Sequence, residues 1–296
     1  MLESPDRLFE ASNAKKSDTT KSVMLGGVQT FLEGASDDSY FQTIESHAAR
    51  LNGLAALVTR HVSPSSTVID VGANIGLSTI MLARLTHHVV AYEPSPPNIV
   101  FLRRNLALNG ITNVEVRAAA VSSEPGVLRF HVAQFGAGSH VVTSDYVGSA
   151  TVPTVDVPAV TLDAEAHPSI AFIKIDAEGH EPDVLAGARR LLVRDRPLIY
   201  TEINMWCLLA LAGHSPGALV RRLWQAFEVG KLEAGGGVLR LSNAYAFLHD
   251  TIIHNQGMAD IVLRPREEAK MPSLPELTWP EAALAALNKN CVSNLS

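Results

Sequence analysis

The sequence has 296 residues, of which 47% are hydrophobic and 18% are charged, enough apolar material for one large folded domain with appendages. Its 30 acidic and 24 basic residues give a net charge of −6, which argues against a nucleic-acid partner. There is neither an apolar stretch long enough for a membrane span nor the basic and apolar start of a secretion signal. These features predict a cytoplasmic protein without membrane contact, whose two cysteines are reduced thiols.

Residues 1–61 are predicted to form a polar arm and a lid. Residues 23–33 alternate in polarity around Gly26 and Gly27, a pair that favours a tight hairpin turn. Residues 40–61 place apolar side chains at helical spacing. The hairpin and the helix are expected to cover the domain that follows.

Residues 62–265 alternate strands and helices, which predicts a doubly wound, mostly parallel α/β sheet. The predicted strands are 67–71, 89–92, 114–120, 171–175 and 198–202, and the predicted helices are 77–85, 96–109, 181–192 and 216–227. The final antiparallel pair is predicted at 235–241 and 260–263. An insertion covers residues 121–166, with a glycine-rich tip at 135–140 that is expected to line a substrate pocket, and a tail covers residues 266–296.

The first strand of this domain contains an acid and leads into a glycine-containing turn, a pattern typical of ligand binding. Asp70 precedes Gly72, Asn74 and Gly76, and glycines permit turns and close approaches that side chains would obstruct. The second strand presents Glu93 about twenty residues further on, where an acid can accept hydrogen bonds from both hydroxyls of a ribose. Because adjacent strand ends share one ligand, these residues predict a pocket for a nucleoside cofactor.

A dinucleotide site is the main alternative, since it uses the same geometry with a G-x-G-x-x-G pattern. Here the pattern is D-x-G-x-N-x-G, and the side chain of Asn74 would crowd a pyrophosphate. An amide side chain favours a smaller zwitterion such as a methionine moiety. A nucleoside cofactor with a methionine-like moiety is therefore favoured over a dinucleotide.

A second group of polar residues follows the fourth predicted strand. Because ligands of open parallel sheets bind beyond the carboxyl ends of the strands, Asp176, Glu178 and His180 are expected to share a crevice with Glu93. His180 is a candidate general base, and Asp176 is a candidate either for the base or for the group that holds the cofactor ammonium. Lys174, between two isoleucines, is expected either to act in catalysis or to cross the sheet and pair with an acid.

Other roles for residues near these strand ends stay open. The loop after the fourth strand, together with Glu202, has the oxygen-rich chemistry of a magnesium site. Carboxylates at strand ends are commonly only hydrogen-bonded, so a divalent cation is disfavoured as a cofactor and no metal ligand is assigned. His140, in the glycine-rich tip, is the alternative base. Trp206 is expected either to line the acceptor pocket or, as is more common for an indole, to pack in the core.

Four motifs in order resemble the FkbM family of S-adenosylmethionine-dependent methyltransferases. They are residues 70–76 (DVGANIG), 93–94 (EP), 161–163 (TLD) and 173–181 (IKIDAEGHE), and the resemblance covers residues 62–204. It implies a class I methyltransferase fold, in which the final strand of the sheet is antiparallel. It also implies methyl transfer, most often to oxygen, on small molecules or sugar-containing natural products.

The sequence therefore predicts an S-adenosylmethionine-dependent O-methyltransferase of secondary metabolism with a small-molecule acceptor. The candidate catalytic residues are Lys174, Asp176 and His180, and the candidate cofactor-binding residues are Asp70, Gly72, Asn74, Gly76, Glu93 and Asp176. The alternatives are an NAD-dependent oxidoreductase and a non-catalytic methyltransferase-like binding protein.

Overall fold

A computed structural model describes residues 18–132, 139–142 and 154–266 of the chain. In chain order its strands are β1 (Asp18–Leu25), β2 (Val28–Ala35), β3 (Thr67–Val71), β4 (His88–Tyr92), β5 (Val114–Arg117), β6 (Ala120–Val121), β7 (Gly126–His131), β8 (His140–Val141), β9 (Thr154–Val160), β10 (Ile170–Ile175), β11 (Leu198–Asn204), β12 (Phe227–Leu232), β13 (Val238–Leu241) and β14 (Met258–Pro265). Its helices are α1 (Ser39–Gln42), α2 (Ile44–His61), α3 (Leu77–Leu85), α4 (Pro96–Leu108), α5 (Glu181–Ala186), α6 (Arg189–Asp195), α7 (Pro216–Ala226) and α8 (Ala244–His254), with a π-helical turn at Cys207–Leu211.

The central sheet has eight strands in the order β13-β12-β14-β11-β10-β3-β4-β5. The five strands from β11 to β5 are parallel, whereas β14 runs antiparallel between β11 and β12. Alternate residues of β3 face opposite layers, since Val68 packs with α2, α3 and α4, and Ile69 packs with α5, α6 and α7. This topology confirms the predicted doubly wound, class I methyltransferase-like sheet with an antiparallel final strand.

The pairing at one edge of the sheet differs from the prediction. The segments predicted as a final pair are not neighbours, because β13 and β14 lie on opposite sides of β12. The sequence pattern assigns Phe227 to the end of a helix and misses β12, since this strand follows α7 without a loop. The apolar helix α8, which Asn243 caps, is also absent from the prediction.

Three predicted elements are divided in the structure. The helix predicted over 181–192 is interrupted at Gly187, where a Cβ atom would lie 2.0 Å from the carbonyl oxygen of Ser122. The helix predicted over 40–61 is interrupted at Thr43. The strand predicted over 114–120 divides between β5 and β6, and β6 joins β9, β7 and β8 in a second sheet built from the insertion.

The predicted hairpin is present at the start of the described chain. β1 and β2 pair across Gly26 and Gly27, whose φ angles are +59° and +80°. The hairpin packs against α2 and α4, and its action as a lid stays a prediction. The arm before residue 18, most of the tip at 135–140 and the tail after residue 266 lie outside the described residues. In the part of the chain that the structure describes, no helix is long and apolar enough to cross a membrane.

Candidate active site

One cavity lies at the carboxyl ends of β3, β4, β10 and β11, where the sequence predicts a ligand crevice. Six of the predicted site residues line it, namely Gly72, Asn74, Glu93, Lys174, Asp176 and His180. The other two do not line it. Asp70 is fully buried, and Gly76, just before α3, packs against the side chain of Leu102 on α4. The fold thus brings together residues that lie in separate segments of the sequence.

The turn after β3 touches the loop after β10. Gly72 has a φ angle of +78°, and a Cβ atom built on it would lie 1.9 Å from the carbonyl oxygen of Asp176. The backbone N–H of Asp176 donates a hydrogen bond to the carbonyl oxygen of Val71 at 3.1 Å. Only glycine permits both the left-handed backbone and this close approach, so the contact at Gly72 sets the spacing of the two loops.

Glu93 joins the end of β4 to the turn after β3. Its Oε2 accepts a hydrogen bond from the backbone N–H of Asn74 at 2.7 Å, and its Oε1 accepts one from the N–H of Ser95 at 2.9 Å. Burial raises the pKa of Glu93 to about 7, although these N–H groups oppose the rise. A carboxylate has about four acceptor positions, so lone pairs remain for the hydroxyl groups of a ligand.

Asp70 is buried within β3 and is bonded to the helix that follows the turn. Its Oδ2 accepts hydrogen bonds from the hydroxyl of Ser78 at 2.9 Å and from that of Thr79 at 2.7 Å. These bonds fix the first turn of α3 relative to the strand. The position of Asp70 therefore supports the turn without placing its carboxylate in the cavity.

Lys174 lies on β10 and is almost completely buried. Its Nζ lies 3.3 Å from Asp70 Oδ1 and 3.4 Å from Asp176 Oδ2. It also donates a hydrogen bond to the carbonyl oxygen of Gly72 at 3.2 Å. Burial disfavours the cation, but the two carboxylates outweigh this effect and hold the pKa of Lys174 above its usual range. Lys174 is thus the buried cation that joins β3, the turn and the loop after β10.

Glu181, the first residue of α5, stabilises the loop after β10. Its Oε1 accepts hydrogen bonds from the backbone N–H groups of Ala177 at 3.0 Å and of Gly179 at 3.2 Å. Between these two residues, Glu178 has a φ angle of +51°, in the left-handed region. The loop therefore has one defined backbone conformation, with a glutamate at its centre.

His180 lines the cavity, but its imidazole is engaged by buried neighbours. Nε2 lies 3.0 Å from the hydroxyl of Ser122, and Nδ1 lies 3.4 Å from Asp183 Oδ2. His214 Nε2 bonds the same oxygen of Asp183 at 2.8 Å. Burial lowers the pKa of His180, so the ring is neutral at pH 7. The ring therefore lies between Ser122, which is hydrogen-bonded to Nε2, and the carboxylate of Asp183, which faces Nδ1.

Residues 70–210 match the family model described as the methyltransferase FkbM domain. These residues belong to the FkbM methyltransferase family. The matched range contains all eight of the predicted site residues, from Asp70 to His180.

Two curated proteins are similar to parts of the chain. The hexuronic acid methyltransferase AglP of Haloferax volcanii is 29% identical over 137 residues, which cover 46% of this chain and 55% of that protein. Protein-L-isoaspartate O-methyltransferase 1 of a Polaromonas species is 37% identical over 54 residues, which cover 18% of this chain and 23% of that protein. The chain thus spans about half the length of the first relative and less of the second.

Two solved structures align with a larger part of the chain. Methyltransferase FkbM from Methylobacillus flagellatus is 16% identical, with a TM-score of 0.39, and the alignment covers 68% of this chain and 44% of that one. An rRNA methylase from Streptococcus thermophilus is 12% identical, with a TM-score of 0.43, and the alignment covers 73% of this chain and 96% of that one.

Three side chains that the sequence does not predict also line the cavity of the FkbM domain. Tyr40 and His47 stack with their ring centroids 4.2 Å apart, and Arg50 Nη2 lies 2.8 Å from Glu202 Oε2. Residues 40, 47 and 50 have the spacing of one helix face, and this spacing is the signal that could have revealed them. The segment before the FkbM domain therefore supplies one wall of the cavity.

Two other predicted candidates have different surroundings. His140 is buried and its ring lies 5.1 Å from that of His131, whereas the neighbouring Ser139 and Val141 line the cavity. Because side chains alternate along a strand, His140 faces away from the cavity of the FkbM domain. Trp206 is 65% exposed and does not line the cavity, so both alternatives for it, the pocket wall and core packing, are wrong.

The metal hypothesis concerns the acids at the ends of β10 and β11. Among residues 18–132, 139–142 and 154–266, no group of three or more His, Cys, Asp or Glu side chains is arranged to hold a metal ion. Whether a divalent cation takes part stays a prediction.

Proposed function

We propose that this chain is an S-adenosylmethionine-dependent methyltransferase that transfers a methyl group to an oxygen atom of a small-molecule acceptor. The observation that carries the proposal is the cavity that joins Glu93, Gly72 and Asp176 at neighbouring strand ends. Such a cavity offers one acid for ribose hydroxyls and another for an ammonium group. Membership of residues 70–210 in the FkbM family supports methyl transfer, and the names of the two curated relatives favour acidic sugars and oxygen acceptors.

The residues at the ends of β3 and β4 have suitable chemistry for the cofactor. In this proposal Glu93 accepts the ribose hydroxyls, the turn from Gly72 to Asn74 contacts the methionine moiety, and Asp176 binds its ammonium group. Asp70 and Gly76 do not line the cavity, so in this proposal they support the turn and do not contact the cofactor. The bound cofactor would supply the methyl group that is transferred.

The remaining residues of the cavity have supporting roles in the proposal. Lys174 orients Asp176 through their ion pair, and His180 fixes the loop through Ser122. The acceptor would bind beside Tyr40, at the end of the cavity away from Glu93. The net charge of −6 makes a nucleic-acid acceptor unfavourable, and a cytoplasmic location stays a prediction.

Calorimetry with S-adenosylhomocysteine and with NAD tests the cofactor class. Binding of S-adenosylhomocysteine without binding of NAD is expected, and the reverse would support the oxidoreductase alternative. Methyl transfer is then tested with labelled S-adenosylmethionine, first with hexuronic acids and neutral sugars and then with small-molecule extracts. Binding without transfer to any acceptor would favour the non-catalytic alternative.

Replacement of Glu93 by alanine is expected to weaken S-adenosylhomocysteine binding by about 1–3 kcal/mol, because a charged acceptor of hydroxyl hydrogen bonds is lost. The carboxylate is the binding form, and burial raises the pKa of Glu93 to about 7. The affinity of the wild type should therefore increase about tenfold between one pH unit below and one unit above that pKa. Calorimetry across this range measures both effects.

Glu115→Ala is the matched control for Glu93, since Glu115 lies on the adjacent strand β5 and does not line the cavity. This variant should keep both the affinity and the pH dependence of the wild type. Wild-type affinity in Glu93→Ala would remove Glu93 from the ribose role.

Asp176→Asn and His180→Ala are expected to differ in cofactor binding. Loss of the Asp176 charge should weaken S-adenosylhomocysteine binding by about ten- to a hundredfold, because a charge-assisted hydrogen bond to the ammonium is lost. His180→Ala should stay within about threefold of the wild type, because the ring contacts Ser122 and Asp183 and not the proposed cofactor ligands. Equal losses in the two variants would show that His180 also holds the cofactor.

A further inference from the structure

The centre of the loop after β10 has an unusual backbone conformation for its residue type. Glu178 has a φ angle of +51°, which is uncommon for a residue other than glycine, asparagine or aspartate. Such conformations persist only where the surrounding structure enforces them, and they concentrate at functional sites. The side chain that this conformation directs therefore has a defined position in the cavity.

The neighbours of Glu178 enforce this conformation from both sides. The N–H groups of Ala177 and Gly179 both donate to Glu181 Oε1. Gly179 packs so closely on the π-helical turn that a Cβ atom on it would lie 2.6 Å from the carbonyl oxygen of Cys207. The backbone around Glu178 is thus fixed before any ligand binds, as a catalytic group requires.

The carboxylate of Glu178 lines the cavity, and no Lys or Arg among residues 18–132, 139–142 and 154–266 forms an ion pair with it. Its Oε2 accepts a weak hydrogen bond from Cys207 Sγ at 3.3 Å, and within the described residues Oε1 has no hydrogen-bond partner. The other acids of this wall are paired, since Asp176 lies 3.4 Å from the amine of Lys174 and Glu202 lies 2.8 Å from the guanidinium of Arg50. Asp176 and Glu202 use their oxygen atoms in ion pairs, whereas Glu178 can use its oxygen atoms to accept a proton from a ligand.

The predicted base His180 lacks this capacity. Its Nε2 is hydrogen-bonded to the hydroxyl of Ser122, and its Nδ1 lies 3.4 Å from Asp183 Oδ2. A general base needs a lone pair directed at the proton that it removes. The contacts therefore favour a positioning role for His180, whereas Glu178 has an oxygen atom that can accept a proton.

We propose that Glu178 is the general base that removes the proton from the acceptor hydroxyl, a role that rests on the proposed methyl transfer to oxygen. The acceptor O–H bond breaks and its proton moves to the Glu178 carboxylate, while an oxygen lone pair forms a bond to the methyl carbon. The bond from sulfur to that carbon breaks, and its electron pair stays on sulfur as a neutral thioether. Glu178 then releases the proton to solvent, so charge and atoms balance.

The electrostatic surroundings of Glu178 match this role. Burial raises the pKa of Glu178 to about 8, and repulsion from Asp176 adds to the rise. Cys207 opposes it through its hydrogen bond, whereas Glu202 on β11 and Glu181 on α5 add further repulsion. A base of this pKa is both available and strong enough near neutral pH.

Sinefungin tests the position of Glu178 without any acceptor, because it carries an amine in place of the methyl that is transferred. At a pH near 8, the wild type should bind sinefungin at least about tenfold more tightly than S-adenosylhomocysteine, since the ammonium would meet the carboxylate. Glu178→Gln should bring the two affinities within about threefold of each other and leave that for S-adenosylhomocysteine unchanged. Calorimetry with both compounds gives the ratio for each protein.

Two controls accompany this measurement. Glu202→Gln removes an acid of the same wall that is paired with Arg50, and it should keep the preference for sinefungin. The melting temperature of Glu178→Gln should equal or exceed that of the wild type near pH 8, because the variant removes a buried charge that repels Asp176. This result would show that a lost preference does not come from misfolding.

The possible outcomes separate this proposal from the proposed function. A wild type that binds S-adenosylhomocysteine without preferring sinefungin, or a Glu178→Gln protein that keeps the preference, would overturn the role of Glu178 alone. A wild type that binds neither compound would overturn the proposed function and, with it, this proposal.

Discussion

Replacement of Lys174 by methionine is expected to lower the free energy of unfolding by about 3–5 kcal/mol, because it leaves buried carboxylate charge without its cation. Asp70 is inaccessible to solvent, and Lys174 Nζ lies 3.3 Å from it and 3.4 Å from Asp176. Methionine has a similar length and keeps the apolar packing of the lysine chain. Urea unfolding of the ligand-free protein at neutral pH measures the difference.

Two matched variants test the cause of this loss. Lys231→Met removes a partly exposed lysine that lies 3.5 Å from Asp250, and it should cost no more than about 1 kcal/mol. Adding Asp70→Asn to Lys174→Met should recover part of the loss, because the buried charge is then removed together with its partner. A loss for Lys174→Met as small as that for Lys231→Met would show that water screens the buried pair.

The strands around the cofactor turn could be predicted because their signals are local. An apolar run that ends before Gly72 and a second run that ends at Glu93 mark β3 and β4 directly in the sequence. The antiparallel last strand follows from the family resemblance. In contrast, β12 begins at Phe227 directly after a helix, and no turn residue separates the two apolar patterns. Strand pairing is also non-local, so the missed strand made the predicted final pair wrong.

The candidate site was predicted best where its residues follow strand ends. Gly72, Glu93 and Asp176 share the cavity because parallel strands end at one edge of the sheet. The pairing of Lys174 with an acid was one of two predicted alternatives, and Asp70 is such a partner. The hydrogen bond from Lys174 to the carbonyl oxygen of Gly72 could not be predicted, because it depends on the contact between the turn and β10 in the folded protein. Burial of Asp70 below the turn likewise depends on packing that spacing alone does not specify.

The remaining site residues depend on contacts between distant parts of the sequence. Arg50 meets Glu202 and Asp260, which are 152 and 210 residues away, so no local pattern predicts the ion pairs. The left-handed backbone of Glu178 is enforced by neighbours on α5 and the π-helical turn, and glutamate itself does not favour it. Such features arise only when the loops are packed together.

Gly72→Ala is expected to destabilise the protein by about 2–5 kcal/mol, the sum of a left-handed alanine and an overpacked contact. The new methyl group would stand 1.9 Å from the carbonyl oxygen of Asp176, so the turn and the loop must separate. S-adenosylhomocysteine affinity should fall by at least about a hundredfold, because the displaced loops hold its proposed ligands. Urea unfolding and calorimetry measure the two effects.

Gly27→Ala isolates the contact from the backbone strain. Gly27 has a φ angle of +80°, close to the +78° of Gly72, but a Cβ atom on it would meet nothing within 4 Å. This variant should lose only about 1–2 kcal/mol of stability and keep the wild-type affinity for S-adenosylhomocysteine. The excess loss in Gly72→Ala then measures the contact between the turn and the loop after β10. Equal losses of stability, with intact binding in both variants, would mean that the two loops can move apart freely, and the close contact at Gly72 would then have no role in forming the cofactor site.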